Sequence, residues 1–378
     1  MKTQKKIGIL GGGQLARMSA YQAYKLGFNV AILEKEKNSP AGQLTHNEFV
    51  GSIENDKLLK EFVDKSDIFT LENEFIDADR LKFIESLGKK VIPSSNTIRL
   101  IQDKYIQKKT LAKHNIPHPK FIEVKSEIDY QKISAVLGKR FIVKSRKMGY
   151  DGYGNADVKN ESDFKDAFKK LTTRHVNLYA EEFIKFKKEL AVMVVRTKRE
   201  IKTYPVVETI QKNHICHTVI APAQISKRKL KEAEKIGIDC VKAVKGFGLF
   251  GIEMFIDAKG KILVNEMAPR PHNSGHYTIE GCVTSQFENH IRAVLSLPLG
   301  STDLVKKHAV MINLLGKREG VGIVQNYKES LSEPDLHLHI YGKANSRIGR
   351  KMGHITIVGD NLNTILHKAK QMEKRIII

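Results

Sequence analysis

GIEMFIDAKGKILVNEMAPRPHNSGH, residues 251–276, is the stretch that decides how this chain is read. Two apolar runs flank Asp257-Ala258-Lys259-Gly260, the punctuation of a β-hairpin. With Lys259-Gly260 as a two-residue turn, Ala258 faces Lys261, and counting outward sets Glu253 opposite Glu266. Facing carboxylates repel and weaken a sheet. A divalent cation between them turns that liability into a site, and hard oxygen ligands favour magnesium, with manganese as the alternative. Just downstream, Arg270, His272, Asn273 and His276 supply groups that hold anions. The duller alternative is an exposed hairpin with ordinary surface glutamates, since a one-residue change of register separates the pair.

The chain has 378 residues, enough for two or three domains and a sizeable core. No apolar run approaches the roughly 18–20 residues that span a bilayer, so no membrane is expected. The first residues run straight into a short strand, too short for a signal peptide. Cys216, Cys240 and Cys282 are odd in number and widely spaced. They form neither a zinc pattern nor a disulfide framework, which points to a reducing cytoplasm. The formal charge of +22 comes from lysines spread along the chain. The densest run, Lys227 to Lys235, also carries Glu232 and Glu234 and reads as a solvated helix face. No aromatic-interleaved basic motif accompanies it, so nucleic acid is not an expected partner.

Taken in order, Lys6–Leu10 is a buried strand, followed by Gly11-Gly12-Gly13-Gln14-Leu15-Ala16 and a helix to about Leu26. A second strand, Asn29–Leu33, ends at Glu34. This βαβ unit carries a Gly-x-Gly-x-x-Ala turn with an acid about 20 residues on, the pattern of a dinucleotide-type phosphate turn. Glu72 and Glu74 follow a strand at Ile68–Leu71, where open α/β sheets bind ligands. A long helix is expected from Thr97 to about His114, carrying Asp103 and Lys104. Lys144 ends the strand Phe141–Lys144, and glycines 149, 152 and 154 open a loop whose backbone amides can approach phosphate. The segment Glu181-Glu182-Phe183-Ile184 leaves a strand and can read an adenine edge, while an acid beyond it, Glu189, takes ribose hydroxyls. A helix over Thr284–Leu297 closes this part, and strands with one helix near Asn361–Glu373 make up the rest.

Several of these blocks recur in one order in a known family. Gly11 to Met18, Gly149-Tyr150-Asp151-Gly152, Glu181-Glu182-Phe183, Asn265 to His276 and Gly349 to His354 together resemble the 5-(carboxyamino)imidazole ribonucleotide synthases of purine biosynthesis, which are ATP-grasp enzymes. The resemblance spans essentially the whole chain. It implies a mixed α/β and α+β architecture: a Rossmann-like preATP-grasp domain over 1–96, an ATP-grasp domain over 97–300 with a glycine-loop subdomain at about 115–180, and a small, mostly-β C-terminal domain over 301–378. It also implies a cytoplasmic homodimer that joins bicarbonate to 5-aminoimidazole ribonucleotide at the expense of ATP. By matching positions, Lys104 and Lys144 would hold ATP phosphates, together with Gly149, Tyr150, Asp151, Gly152, Tyr153 and Gly154. Glu181, Glu182, Phe183 and Ile184 would hold adenine and Glu189 the ribose, with His214, Asn265 and Glu266 also on the nucleotide. Magnesium would sit on Glu253 and Glu266. The imidazole ribonucleotide would meet Gly13, Gln14, Leu15, Glu74, Tyr150, Asn273, Lys343 and Arg350. Arg270, Asp151 and His272 would carry the chemistry: the Arg270 fork suits bicarbonate and its phosphorylated form, and Asp151 orients the amine.

This sequence departs from the family pattern at Met148 and Tyr153 in the glycine loop, at Thr70 to Phe75, and at Ile348, where a proline is common. Three rivals remain open at this level. The glycine turn suggests a dehydrogenase, the acidic hairpin suits other ATP-grasp or formate-using ligases, and the charge alone suggests a nucleic-acid binder.

Overall fold

The computed structural model describes residues 5–149, 154–173 and 177–378. The chain opens with β1 (Lys6–Leu10), α1 (Gln14–Lys25), β2 (Asn29–Glu34), β3 (Glu48–Val50), α2 (Asp56–Asp64), β4 (Ile68–Leu71), α3 (Ala78–Ser86) and β5 (Lys90–Val91). The strands form a parallel sheet in the order β3-β2-β1-β4-β5. Their continuous apolar runs are what a sheet covered on both faces requires. Ile7, Ile9 and Ile32 pack on Ala16, Ala20 and Ala23 of α1, while Leu10, Leu33 and Phe69 pack on Leu59, Phe62 and Leu81. Each fully buried side chain of this kind stabilises the fold by about 1.5–3 kcal/mol. β1 lies between β2 and β4, so the strand order reverses there, and the crevice beyond the carboxyl ends of β1 and β4 holds the glycine turn and Glu72.

The long helix expected over 97–114 is two helices, α4 (Ser95–Gln102) and α5 (Lys104–Lys113). Asp103 breaks it. Its backbone is extended, and its carboxylate accepts from the amides of Tyr105 and Ile106, capping α5. The same carboxylate is gripped by Arg146, whose Nη2 lies 2.7 Å from Oδ2. Four antiparallel strands follow, β6 (Phe121–Val124), β7 (Phe141–Ser145), β8 (Asn155–Val158) and β9 (Leu178–Glu182), in the order β6-β9-β7-β8. Helices α6 (Tyr130–Leu137) and α7 (Glu161–Thr172) cover one face through Phe141, Val143, Phe164 and Leu171. By the two-residue alternation of strands, Lys144 and Glu181 point to the other face.

The rest of the chain is β10 (Phe186–Arg196), β11 (Ile201–Thr203), β12 (Val207–Lys212), β13 (Ile215–Ala221), α8 (Lys227–Ala243), β14 (Gly248–Asp257), β15 (Ile262–Ala268), α9 (Thr278–Gly281), α10 (Gln286–Val294), β16 (His308–Leu315), β17 (Gly320–Val321), α11 (Lys328–Leu331), β18 (Leu336–Ile340), β19 (Asn345–Ser346), β20 (Lys351–Gly359) and α12 (Leu362–Arg375). An antiparallel sheet runs β15-β14-β10-β12-β13-β16-β20-β18, with β11 beside β10. It continues without a break into the C-terminal part, where α12 covers Val310, Ile312 and Ile355. Helix α10 is shorter than the expected 284–297: the Ser285 hydroxyl caps its start, accepting from the Glu288 amide at 3.1 Å, and Ser296, at φ +60°, turns the chain out of the helix at its end. It is wedged between two cores. Ile291 and Val294 join Ile7 and Ile9 of the parallel sheet, and Ala293 joins Ala191 and Met193 of the antiparallel one.

Candidate active site

The acidic hairpin brings Glu253 opposite Glu266, but not by the expected turn. The turn has three residues, Ala258 to Gly260, with Gly260 at φ +82°, where only glycine is at ease. The Asp257 carboxylate accepts from the amides of Lys259 and Lys261 and fixes it. That turn slips the register by one, pairing Ile256 with Ile262 and Met254 with Val264. A bulge at Asn265 then restores it. The extra residue, Asn265, donates from Nδ2 to Glu253 Oε2 at 3.4 Å.

Lys104 Nζ lies 2.6 Å from Glu266 Oε2, and His272 Nε2 lies 3.3 Å from Glu253 Oε1. Burial pushes the Glu253 carboxyl up to about 8, helped by the charge of Glu266 and then of Glu189. Burial also acts to raise Glu266, but the Lys104 ammonium overturns it and holds that carboxyl at about 2. The pair is therefore short of positive charge, the condition under which a hard cation binds. No cluster of three His, Cys, Asp or Glu able to hold a metal occurs among the described residues. Magnesium, which takes one or two carboxylates and completes its shell with water and phosphate, fits two such ligands.

On the four-stranded sheet, Glu181 is clamped between two lysines. Lys108 Nζ from α5 lies 2.5 Å from Oε1, and Lys144 Nζ contacts Oε2. Lys108 also donates to the Val264 carbonyl at 3.0 Å, tying α5 to the hairpin. Burial favours a neutral Glu181, yet the two ammonium groups hold its carboxyl below the usual range. Lys108 is 1% exposed, so Lys108→Met is expected to lower unfolding stability by about 3 kcal/mol, because it breaks a buried pair; a denaturant melt checks this. Phe183 and Ile184 lie in the irregular link from β9 to β10, with the Arg140 guanidinium 3.6 Å over the Phe183 ring. Glu182 Oε2 accepts from the Lys120 amide at 3.2 Å and so turns back to the sheet. Glu189 shares a sheet face with Glu253, two residues along from Ala191, the partner of Glu253. Its carboxyl is raised by burial, against a hydrogen bond from Gln211 and the charge of His214 in the β12–β13 turn. Gly149 and Gly154 close the base of the glycine loop, where the Gly154 carbonyl accepts from the Ser145 amide at 2.8 Å. Tyr150, Asp151, Gly152 and Tyr153 lie outside the described residues.

The anion-holding segment follows β15. Glu74, expected on the ribonucleotide, instead takes Arg270, with Nη2 2.9 Å from Oε1 and Nε on Oε2. Burial works against the Arg270 charge, but the Glu74 carboxylate raises its pKa. Burial and the Arg270 charge push His272 down to about 3, so its ring is neutral near pH 7. Asn273 exchanges hydrogen bonds with Asn313 at 2.9 and 2.6 Å, which fixes its amide against β16. Gly251 of β14 approaches His272 so closely that an added Cβ would lie 2.5 Å from the His272 Cβ. Gly251→Ala should therefore displace His272 and lower kcat by about 10-fold to 100-fold, because ångström-scale misplacement has that effect. Steady-state kinetics beside a melting curve check it; an unchanged kcat would mean that the position of His272 is immaterial.

At the crevice of the parallel sheet, Gly11 sits at φ +96° and the Gly12 amide donates to Glu34 Oε2 at 2.7 Å. Glu34 thus holds the turn itself, which removes the acid that a dinucleotide ribose would need. A Cβ on Gly13 would lie 2.3 Å from Glu72 Oε1, so Glu72, not Glu74, lines this turn. Burial raises its carboxyl, opposed by Asn73, Arg270 and Lys343. Gln14 begins α1, and Leu15 packs with Met18, Phe287 and Tyr341. The Gly342-Lys343 turn docks here through Gln43 Nε2, 3.0 Å from the Gly342 carbonyl. Arg350 donates to the Asn345 carbonyl at 2.5 Å within its own turn and is not brought onto the glycine turn by any contact among the described residues. The sequence does not single out Lys108 or Gln286, and it marks Lys351 only as part of the Gly349 to His354 block. Lys351, at the start of β20, acts by its charge on Glu253, His272 and His276. A cavity of about 410 Å³ lined by Lys90, Val91, Ile92, Lys198 and Phe247 holds none of these groups.

Against known families, residues 4–102 match the ribonucleotide synthetase preATP-grasp domain, 109–287 the ATP-grasp domain, and 309–368 the phosphoribosylaminoimidazole carboxylase C-terminal domain. The chain is 43% identical over 365 residues to a phosphoribosylaminoimidazole carboxylase of Ogataea methanolica, covering 94% of this chain and 67% of that one. It spans about two thirds of the length of such fungal and plant relatives. It is 38% identical to the N5-carboxyaminoimidazole ribonucleotide synthase of Staphylococcus aureus, covering 96% of this chain and 95% of that one. Among solved structures, the Thermotoga maritima N5-carboxyaminoimidazole ribonucleotide synthetase superposes with a TM-score of 0.89 at 44% identity, covering 99% of each chain. An Aspergillus clavatus enzyme in complex with ADP and 5-aminoimidazole ribonucleotide gives 0.90 at 36% identity, again covering 99% of each. The acidic hairpin, the lysine-clamped sheet and the glycine turn thus stand in a chain that belongs to the N5-carboxyaminoimidazole ribonucleotide synthase family, ATP-grasp ligases that carboxylate at the expense of ATP in purine biosynthesis.

Proposed function

We propose that this chain converts ATP, bicarbonate and 5-aminoimidazole ribonucleotide to the carboxyamino product, ADP and phosphate. The observation that carries this reading is the Glu253–Glu266 pair, with Lys104 on Glu266, His272 on Glu253, and Lys144 and Arg270 near enough for their charges to act on Glu266. The neighbour solved with ADP and 5-aminoimidazole ribonucleotide supports it. In the chemistry, a bicarbonate oxygen attacks the γ-phosphorus and ADP leaves, giving carboxyphosphate. The exocyclic amine then attacks the carboxyl carbon, directly or as released CO2. The C–O bond breaks, phosphate departs, and the amine loses a proton to that phosphate or to Asp151.

Lys104 and Lys144 would neutralise the phosphates, and residues 181–184 would receive the adenine with Glu189 on the ribose. Glu253 and Glu266 would hold magnesium or manganese, which when bound offsets charge on the transferring phosphoryl group. Arg270, anchored by Glu74 through Nε and Nη2 and by the Pro271 carbonyl through Nη1, would offer its remaining N–H groups to the carboxylate, while neutral His272 would orient without adding charge. Glu72 and Lys343 would take the ribonucleotide with Gly13, Gln14 and Asn273, and Arg350 would join them only if its turn moves. In the same proposal the chain divides into 1–96, 97–300 and 301–378 and works as a homodimer in the cytoplasm. Among the described residues no helix is long and apolar enough to cross a membrane. The test is ADP release with each substrate omitted in turn: it should require both bicarbonate and the ribonucleotide, and ADP release indifferent to either would refute the reading.

A further inference from the structure

Gln286 has no place in the chemistry above, yet its side chain is 0% exposed and fully committed. Its Oε1 accepts from the His272 amide at 3.0 Å, and its Nε2 donates to the His272 carbonyl at 2.8 Å. One carboxamide therefore holds both polar atoms of a single active-site residue's backbone. Nε2 also sits 3.2 Å from His276 Nδ1. The fit leaves no slack: a Cβ on Gly275 would lie 2.4 Å from Gln286 Oε1. The Gln286 amide in turn donates to Thr278 Oγ1 at 2.9 Å, and that hydroxyl donates to the Gly275 carbonyl at 2.6 Å. The first turn of α10 is thereby locked to the segment that presents His272 and Asn273.

The next residue connects the other half of the site. Phe287 is buried against Leu15 and Met18 of α1, whose first turn follows Gly11 to Gly13, and against Tyr341, which precedes Gly342 and Lys343. Two adjacent residues on one helix turn thus fix the anion-holding segment and the ribonucleotide crevice relative to each other. We propose that Gln286 is a positioning residue that keeps the carboxyl donor, on the His272 side, aligned with the amine acceptor, on the glycine-turn side, so that carboxyl transfer keeps pace with ADP formation. This rests on the carboxylation reading above, since it concerns how the two half-reactions stay coupled.

The test measures ribonucleotide consumed per ADP formed, in parallel for the wild-type enzyme, Gln286→Met, Gln286→Glu and Gly275→Ala, with KM for ATP and a melting curve alongside. Gln286→Met removes both hydrogen bonds, and its ribonucleotide consumed per ADP should fall by about threefold or more while KM for ATP changes by less than about twofold. Gln286→Glu keeps the acceptor for the His272 amide and, protonated in this fully buried position, can donate to the His272 carbonyl, so its value should lie between those of the wild type and Gln286→Met. Gly275→Ala leaves Gln286 in place but pushes its carboxamide away, and should shift the yield in the same direction. A purely structural role would lower both half-reactions together, with a lower melting point and an unchanged yield per ADP; that result in every variant overturns the proposal. A wild-type enzyme whose ADP release ignores bicarbonate would instead sink the carboxylation reading itself.

Discussion

Replacing Glu266 by glutamine is expected to lower kcat by about 10²-fold or more, the loss typical when a group that stabilises transferring charge is removed. Glu266 is the carboxylate that Lys104 keeps ionised, so its charge is present at neutral pH and available to a cation. Glutamine keeps the shape but not the charge, and it leaves the half-buried Lys104 ammonium without its partner. The check is kcat across a magnesium titration. The deficit should be largest at limiting magnesium and should narrow as the cation is raised. Near-normal turnover of the variant at limiting magnesium would remove the cation-holding role from this hairpin.

Arg270→Ala is expected to lower kcat/KM for bicarbonate by about 10²-fold to 10³-fold and to leave ATP affinity within about threefold. The same change leaves Glu74, whose side chain is 22% exposed, as a half-buried charge without its partner, and stability should fall by about 1–3 kcal/mol. These two effects can be separated. The double variant Glu74→Gln with Arg270→Ala removes the orphaned charge, so its melting point should recover while turnover stays low. Recovery of turnover along with stability would make Arg270 a structural residue and nothing more.

The opposed carboxylates were legible in the sequence, although the count that found them was right by compensation. Gly260 serves equally well in a two-residue turn and at the left-handed position of a three-residue one, and a bulge at Asn265 leaves no local signal. The helix expected across 97–114 kept its apolar period through Asp103, and only the pull of Arg146 and the capping geometry reveal the break. Glu72 and Glu74 are two residues apart at a strand end, so which one faces the glycine turn depends on how the chain leaves β4. Gln286 reads as an ordinary residue at the start of a helix, because its partners lie 14 residues upstream on a different element.

The most direct measurement of the central claim follows oxygen. With bicarbonate carrying heavy oxygen, the atom that attacks the γ-phosphorus leaves with phosphate when the carboxyl carbon passes to the amine. Label should therefore appear in inorganic phosphate in proportion to the ADP formed, and only when the ribonucleotide is present. ADP and carboxylated product formed with unlabelled phosphate would contradict the account, because bicarbonate would then not have been phosphorylated at this site.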